Sequence, residues 1–177
     1  YDNCVVGLLE RVNDHVFTHN DHSPRQRFWT IRAKHIILGT GSLERHIAFN
    51  NNDVPGMMTA NAAKHYLNRY GVLSGQEIVI STNNDSVYAT ANELTKAGSK
   101  VHIIDARNTI SQDITESAKK SGIEVSLGTT PFNINGRKKI DSLDVAEHDG
   151  QKYNKVNQIK CDLVLVSGGW SPTVHLL

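Results

Sequence analysis

The chain has 177 residues and a mass of 19.6 kDa, long enough to bury a hydrophobic core without disulfide or metal support. Its 19 basic and 18 acidic residues give a formal net charge of +1, so there is no basic excess for binding nucleic acid. Two cysteines are too few for a disulfide framework, and no apolar run approaches the roughly 18 residues of a membrane span. We therefore expect a cytoplasmic protein that binds neither nucleic acid nor a membrane.

The first part of the chain predicts a hairpin that leads into a glycine-flanked turn. Residues 4–12 and 27–32 are strand-like, and the polar residues 18–25 between them predict the hairpin loop. Residues 35–38 form a short apolar run that predicts a buried strand. This run leads directly into Gly39-Thr40-Gly41, where the two glycines allow the backbone to approach another molecule closely.

The middle of the chain alternates between helical and strand-like segments. Thr59 predicts the start of a helix that runs to about Tyr70 and ends at Gly71. A β-α-β-α-β series follows, with strands at 77–81, 100–105 and 123–127 and helices at 85–97 and 115–121. Such a series predicts a parallel sheet with right-handed crossovers.

The last segments predict a meander and one more buried strand. Residues 140–147 and 153–159 predict a hairpin that turns at Asp149-Gly150, and residues 162–167 predict the strand. The residues predict an α/β fold with a Rossmann-like domain. The family resemblance given below implies that this domain is of the FAD/NAD-binding type and follows part of a preceding nucleotide-binding domain. The division that the resemblance implies is an incomplete first domain with a linker helix, a second Rossmann-like domain and a return segment, at 1–73, 74–168 and 169–177.

The turn after the strand at 77–81 occupies the position of a dinucleotide-binding fingerprint but lacks its glycines. The three glycine positions of that fingerprint fall on Thr82, Asn84 and Val87, whose side chains obstruct the approach of a pyrophosphate. We expect Asp85 to cap the following helix at the place where a phosphate would lie. Asp105 ends the next strand, where it could bind a ribose or cap the following turn.

Other reactive side chains suggest less specific chemistry. Arg45 and His46 could meet a phosphate or a partner carboxylate, although a solvated turn is the simpler interpretation. Loop spacing gives no fixed geometry to the histidines at 15, 19 and 22, so no metal site is expected. Cys4 and Cys161 are expected to be small core residues.

Five motifs spread along the chain carry a family resemblance. They are RAKHIILGTGSLER (32–45), NNDVPGMM (51–58), YLNRYGV (66–72), TNNDSVY (82–88) and CDLVLVSGGWSPTVHL (161–176). Together, and in this order, they resemble the alpha-subunit family of heterotetrameric sarcosine oxidase. Since the chain opens at Tyr1 in mid-pattern, we expect it to be an internal piece of a longer alpha subunit.

The resemblance implies an oxidoreductase. Enzymes of this family oxidise sarcosine to glycine with oxygen and release hydrogen peroxide; with tetrahydrofolate they also form methylene-tetrahydrofolate. The alpha subunit binds NAD in its first nucleotide domain and carries a folate-binding region near its C-terminus. The beta subunit carries FAD, and FMN lies at the boundary between alpha and beta. The implied partners are the beta subunit and the smaller subunits, and the folate region is expected outside this chain.

At the residue level, the resemblance places Gly39, Thr40 and Gly41 near the NAD. They match an Ala-Thr-Gly of the family, with Gly39 in place of the alanine. No catalytic residue is expected in this chain. By itself it is expected to hold no cofactor and to lack oxidase activity.

Three alternatives remain beside this interpretation. The chain could come from the alpha-type subunit of a related amine or opine dehydrogenase. It could also be a non-catalytic Rossmann-like domain that docks other subunits, which the missing glycines favour. A pyridine-nucleotide disulfide reductase is disfavoured because the sequence contains no CxxC pair.

Overall fold

The computed structural model describes residues 2–15, 22–148 and 153–175. The chain divides into two compact units, one formed by residues 1–41 with 174–177 and the other by residues 42–173. No helix in the described ranges is long and apolar enough to cross a bilayer.

The first unit contains the predicted hairpin. Strands β1 (Val5–Arg11) and β2 (Gln26–Arg32) pair antiparallel, with Leu8 opposite Trp29 and Leu9 opposite Phe28. Glu10 joins the strands, since its carboxylate accepts hydrogen bonds from the Trp29 indole at 2.8 Å and from Arg27 at 3.0 Å. The hairpin prediction is confirmed, although part of the predicted loop, at 18–21, lies outside the described residues.

The predicted strand at 35–38 is wrong. These residues are irregular, and the Ile37 side chain is 95% exposed. A buried parallel strand needs hydrogen-bonded neighbours on its edges and apolar cover on its faces. In the described part of the chain no strand pairs with this segment, so its apolar composition does not produce a strand.

The second unit is built on a five-stranded parallel sheet. Its strands, in spatial order, are β4 (Met57–Thr59), β11 (Leu163–Ser167), β5 (Glu77–Thr82), β6 (Lys100–Asp105) and β7 (Glu124–Leu127). The predicted parallel pairing of β5, β6 and β7 is confirmed, with Ile80 opposite Ile103 and Ile103 opposite Val125. Strand β11 returns from far along the chain and inserts between β4 and β5.

Both faces of this sheet are covered. Helices α1 (Ala60–Tyr70), α2 (Ser86–Lys96) and α3 (Gln112–Lys120) contribute to one core, where Ile80 and Ile103 meet Leu94. Strands β8 (Thr129–Gly136), β9 (Ile140–His148) and β10 (Tyr153–Lys160) form an antiparallel sheet associated with the other core, where Val79 and Ile104 meet Leu143. Because alternate strand residues point to opposite faces, two cores require the continuous apolar runs seen in β5 and β11.

Helix ends follow the predicted signals in α1. The Thr59 side chain accepts from the Ala62 N–H at 3.4 Å, and Gly71 ends the helix with φ +65°, a conformation that glycine adopts without strain. Helix α3 begins earlier than predicted, because Ser111 accepts from the Ile114 N–H and adds a turn before residue 115. The paired strands β9 and β10 confirm the predicted meander hairpin, whose turn at Asp149-Gly150 lies outside the described residues.

Segment 42–59 and helix α1 pack within the second unit. Strand β4 pairs with β11, Ala60 and Ala63 are buried in its core, and β3 (Ser42–Glu44) pairs with β12 (Trp170–Pro172). The division at 1–73, 74–168 and 169–177 refers to nucleotide-binding domains and stays a prediction.

Candidate functional site

The carboxyl ends of three central strands meet at one edge of the parallel sheet. In register, Thr82 at the end of β5 lies between Ser167 at the end of β11 and Asp105 at the end of β6. These three polar residues are at most 1% exposed. Open α/β sheets bind ligands just outside this edge, so the loops that follow these strands form the candidate site.

The side chain of Asn84 fills the turn after β5. Its amide nitrogen donates to the Ser167 carbonyl at 3.1 Å and lies 3.2 Å from the Ser167 hydroxyl. The Thr82 hydroxyl accepts from the Asn84 N–H at 3.1 Å and also contacts the Ser167 carbonyl at 3.3 Å. The turn is therefore closed by its own side chains, which connect β5 with β11.

Asn84 also satisfies the start of helix α2. Its side-chain oxygen accepts from the Ser86 N–H at 3.1 Å and from the Ser86 hydroxyl at 2.6 Å. The Trp170 indole N–H donates to the same hydroxyl at 3.1 Å. A side-chain acceptor is thus already present where a glycine-rich turn leaves backbone donors free for a phosphate.

The prediction that Asp85 caps helix α2 with its side chain is wrong. Asp85 holds the N-cap position with φ −80° and ψ −18°, and its carboxylate makes no capping hydrogen bond. A capping side chain normally requires extended backbone at that residue, whereas Asp85 is already helical. Its carboxylate instead accepts from Arg107 at 2.7 Å.

Asp105 is fully buried and fully hydrogen-bonded. One carboxylate oxygen accepts from the Arg107 backbone N–H and from Arg107 Nε, both at 3.0 Å. The other accepts from the Tyr88 hydroxyl at 2.8 Å and from Arg107 Nη2 at 2.7 Å. Since each oxygen already has two donors, no acceptor position remains for a ribose. The sequence left two roles open for Asp105, and the geometry supports the capping of the turn that follows β6.

Hydrogen bonds and burial set the protonation states in this cluster. The pKa of the Arg107 guanidinium is raised above its usual value. The hydrogen bond to Asp105 contributes most, and the hydrogen bond to Asp85 adds to the effect. Burial first, and then the hydrogen bond to Asp105, raise the pKa of Tyr88, so the phenol stays a neutral donor. Sequence reasoning missed Tyr88 and Arg107, although Arg107 follows the strand-ending acid by two residues.

Gly39, Thr40 and Gly41 lie in the first unit and have different surroundings. All three are exposed, and their backbone is irregular. A Cβ at Gly39 or Gly41 would meet no atom within 4 Å, and Gly41 has φ +74°, which favours glycine. An open, glycine-flanked backbone can accommodate a dinucleotide, whereas the side chains of Thr82 and Asn84 close the turn after β5. Val87, the third position expected to obstruct a pyrophosphate, is instead buried in the core.

Within the described ranges, the other candidate residues form no further site. Among the described residues, no group of three or more histidines, cysteines or acids is placed to hold a metal. His19 lies outside the described residues. Cys161 is a buried core residue, as predicted, and burial raises the pKa of its thiol to about 12. Cys4 is exposed, so its assignment to the core was wrong.

The amino-acid sequence of this chain is similar to those of known proteins. Residues 11–177 match the family model described as pyridine nucleotide-disulphide oxidoreductase. Over 155 residues the chain is 40% identical to the sarcosine oxidase subunit alpha of Corynebacterium sp. (strain U-96), which covers 86% of this chain and 16% of that protein. The corresponding subunit of Rhizobium meliloti (strain 1021) is 38% identical over 177 residues, 99% of this chain and 17% of that protein.

The fold has counterparts among solved structures. Thioredoxin reductase of T. acidophilum superimposes with a TM-score of 0.66 at 17% identity, over 84% of this chain and 49% of that chain. At this identity the likeness concerns the fold alone. The resemblance to sarcosine oxidase alpha subunits and the Rossmann-like fold class are both confirmed. Although the chain lacks the CxxC pair whose absence disfavoured a disulfide reductase, its parallel sheet and the match over residues 11–177 show that it belongs to the pyridine nucleotide-disulphide oxidoreductase family.

Proposed function

We propose that this chain serves in the alpha subunit of a sarcosine oxidase, an oxidoreductase that converts sarcosine to glycine and passes electrons to oxygen. Similarity to two curated alpha subunits along most of this chain supports the proposal. The chain spans 16% of the first relative, so the substrate, the folate reaction and the partner subunits are proposed for the whole enzyme. The proposed partners are the beta and smaller subunits, and FAD and FMN are the proposed flavins of the complex.

In this proposal the second unit is a scaffold and not a dinucleotide-binding domain. The single observation that carries the proposal is the state of Asp105, whose two oxygens are taken by four donors from Tyr88 and Arg107. A bound ribose would have to displace these donors and leave the charge of Arg107 without its buried partner. Asn84 closes the adjacent phosphate position in the same way.

We propose that NAD lies near Gly39, Thr40 and Gly41. Their exposed backbone and the positive φ of Gly41 support this assignment. NAD supplies a nicotinamide ring capable of hydride transfer, and these residues would bring backbone within reach of the dinucleotide. None of the residues described here is proposed to act on sarcosine.

Titration of the full 177-residue chain with NAD tests the scaffold and the NAD proposals together. The chain alone is not expected to retain a cofactor, so we expect only weak binding at high NAD concentration. The changes in backbone amide resonances should centre on 39–41, and the resonances of 82–87 should stay unchanged. Gly41→Val should abolish the changes. Gly98→Ala, after helix α2, is the matched control: it also places a side chain at an open glycine of positive φ (+107°, against +74° at Gly41) and should leave the changes intact. Saturable changes centred on 82–87 would overturn the scaffold proposal.

A peroxide assay tests where the chemistry occurs. The isolated chain should form no hydrogen peroxide from sarcosine, because we propose that the amine is oxidised at FAD of the beta subunit. Peroxide formed by the purified chain alone would contradict this assignment. For the whole enzyme, the test is peroxide production by the full-length alpha subunit assembled with its partners.

A further inference from the structure

An open apolar groove of about 830 Å³ lies between strand β3 and helix α1, within the second unit. We call it the tyrosine groove, and its principal residues are Leu43, Glu44, Asn61, Tyr66, Tyr70 and Val72. None of the described residues that line it belongs to the cluster of Tyr88, Asp105 and Arg107. Its volume lies within the range of small-molecule sites in proteins, roughly 300–1,000 Å³.

The walls of the groove are apolar side chains left open to solvent. Tyr66 and Tyr70 lie one turn apart on α1, with ring centroids 6.1 Å apart and ring planes inclined by 46°. Leu43, on the neighbouring strand, is 70% exposed, and Tyr70 is 60% exposed. Contiguous exposed apolar surface of this kind marks a place where another molecule binds.

One carboxylate is held in the groove. Glu44 Oε2 accepts from the Asn61 N–H, in the first turn of α1, at 2.7 Å. Within the described residues this is the one hydrogen bond of the Glu44 carboxylate, so Oε1 can accept from a ligand. The described residues that line the groove include no lysine or arginine.

We propose that the tyrosine groove binds a small organic ammonium ion with an apolar body. The negative face of an aromatic ring attracts a cation, and the free oxygen of Glu44 adds a full opposite charge. The guanidinium of Arg69 already lies 5.7 Å from the Tyr70 ring centroid, so Tyr66 is the principal cation-binding ring. This inference goes beyond the proposed function and does not depend on it.

Titration of the full chain with benzyltrimethylammonium tests the proposal, with benzyl alcohol as the neutral analogue and choline as the aliphatic arm. The readout is the amide resonances of residues 42–44 and 59–72. We expect saturable changes with both cations and at least about tenfold weaker binding of benzyl alcohol, a difference of about 1.4 kcal/mol. Tighter binding of benzyltrimethylammonium than of choline would assign the apolar body to an aromatic group, and the reverse order to an alkyl group.

Matched variants separate charge from shape. Glu44→Gln keeps an acceptor for Asn61 and should weaken cation binding about tenfold while leaving benzyl alcohol unchanged. Tyr66→Phe should retain binding and Tyr66→Ala should lose it, because the ring face and not the hydroxyl is needed. Glu116→Gln on α3, an exposed acid outside the groove, is the control and should change nothing. Equal affinity for the cation and the alcohol, or no effect of Glu44→Gln, would overturn the proposal.

Discussion

The guanidinium of Arg107 and the carboxylate of Asp105 form a bidentate ion pair, with 2.7 Å between Nη2 and Oδ2 and 3.0 Å between Nε and Oδ1. The Asp105 side chain is fully buried, whereas that of Arg107 is 31% exposed. A buried carboxylate that loses its cation keeps the full penalty of desolvation. This pair therefore matters for stability as well as for excluding a ligand.

Replacing Arg107 should destabilise the second unit strongly. We expect Arg107→Met to lower the free energy of unfolding by about 3 kcal/mol, because the charge of Asp105 stays buried without a counterion. Urea unfolding followed by circular dichroism measures the change. Lys64→Met is the control: it removes the surface pair with Glu93, which spans 3.0 Å, and should cost about 1 kcal/mol or less. Equal losses in the two variants would contradict this account.

Tyr88→Phe should give a pH-dependent difference in stability. At neutral pH we expect the free energy of unfolding to fall by about 1–2 kcal/mol, because the charged carboxylate of Asp105 no longer accepts a hydrogen bond from residue 88. Because folding raises the pKa of Tyr88, its contribution is fully present below the ordinary tyrosine pKa of about 10. Above that pH the unfolded chain ionises first, so the advantage of the wild type over Tyr88→Phe should shrink. Unfolding curves between pH 7 and 11 measure it, and a difference that grows with pH would refute the assignment.

The start of helix α2 should depend on Asn84 more than on Asp85. We expect Asn84→Ala to cost about 1–2 kcal/mol, because it removes the cap on Ser86 and the link to Ser167. Asp85→Ala should cost less than about 1 kcal/mol, because it removes an ion pair whose Asp85 side chain is 61% exposed. Chemical denaturation of the two variants, side by side, provides the comparison. The reverse order would restore Asp85 as the cap.

The two thiols should differ in reactivity. Cys4 is exposed, whereas Cys161 is buried and has a thiol pKa of about 12, so almost none of it is thiolate at neutral pH. Under native conditions iodoacetamide should label Cys4 alone, and urea should expose Cys161. Mass spectrometry of tryptic peptides identifies the site, and Cys4→Ser should leave the native chain unlabelled. Labelling of both cysteines at the same rate in the native chain would show that Cys161 is not buried.

Local sequence determined several elements of the second unit, whereas β3, β4, β8 and β12 were not predicted. Signals that act over a few residues predicted helix α1 and strands β5, β6 and β11 with small shifts at their ends. These signals are the cap at Thr59, the glycine at 71 and the apolar runs of the strands. Family motifs along the chain also predicted the resemblance that the comparisons confirm. The missing glycines at 82–87 pointed correctly to a turn obstructed by its side chains.

Long-range partners decided the rest. The sequence could not show that Arg107 donates a hydrogen bond to Asp85, or that Tyr88 and Arg107 both donate to Asp105. The crossover from β5 to β6 brings these residues together in the fold. The apolar run at 35–38 has no pairing strand among the described residues and is irregular, whereas the run at 163–167 pairs with two neighbours and forms a central strand. An apolar run needs hydrogen-bonding partners on its edges to become a strand, and only the tertiary structure supplies them.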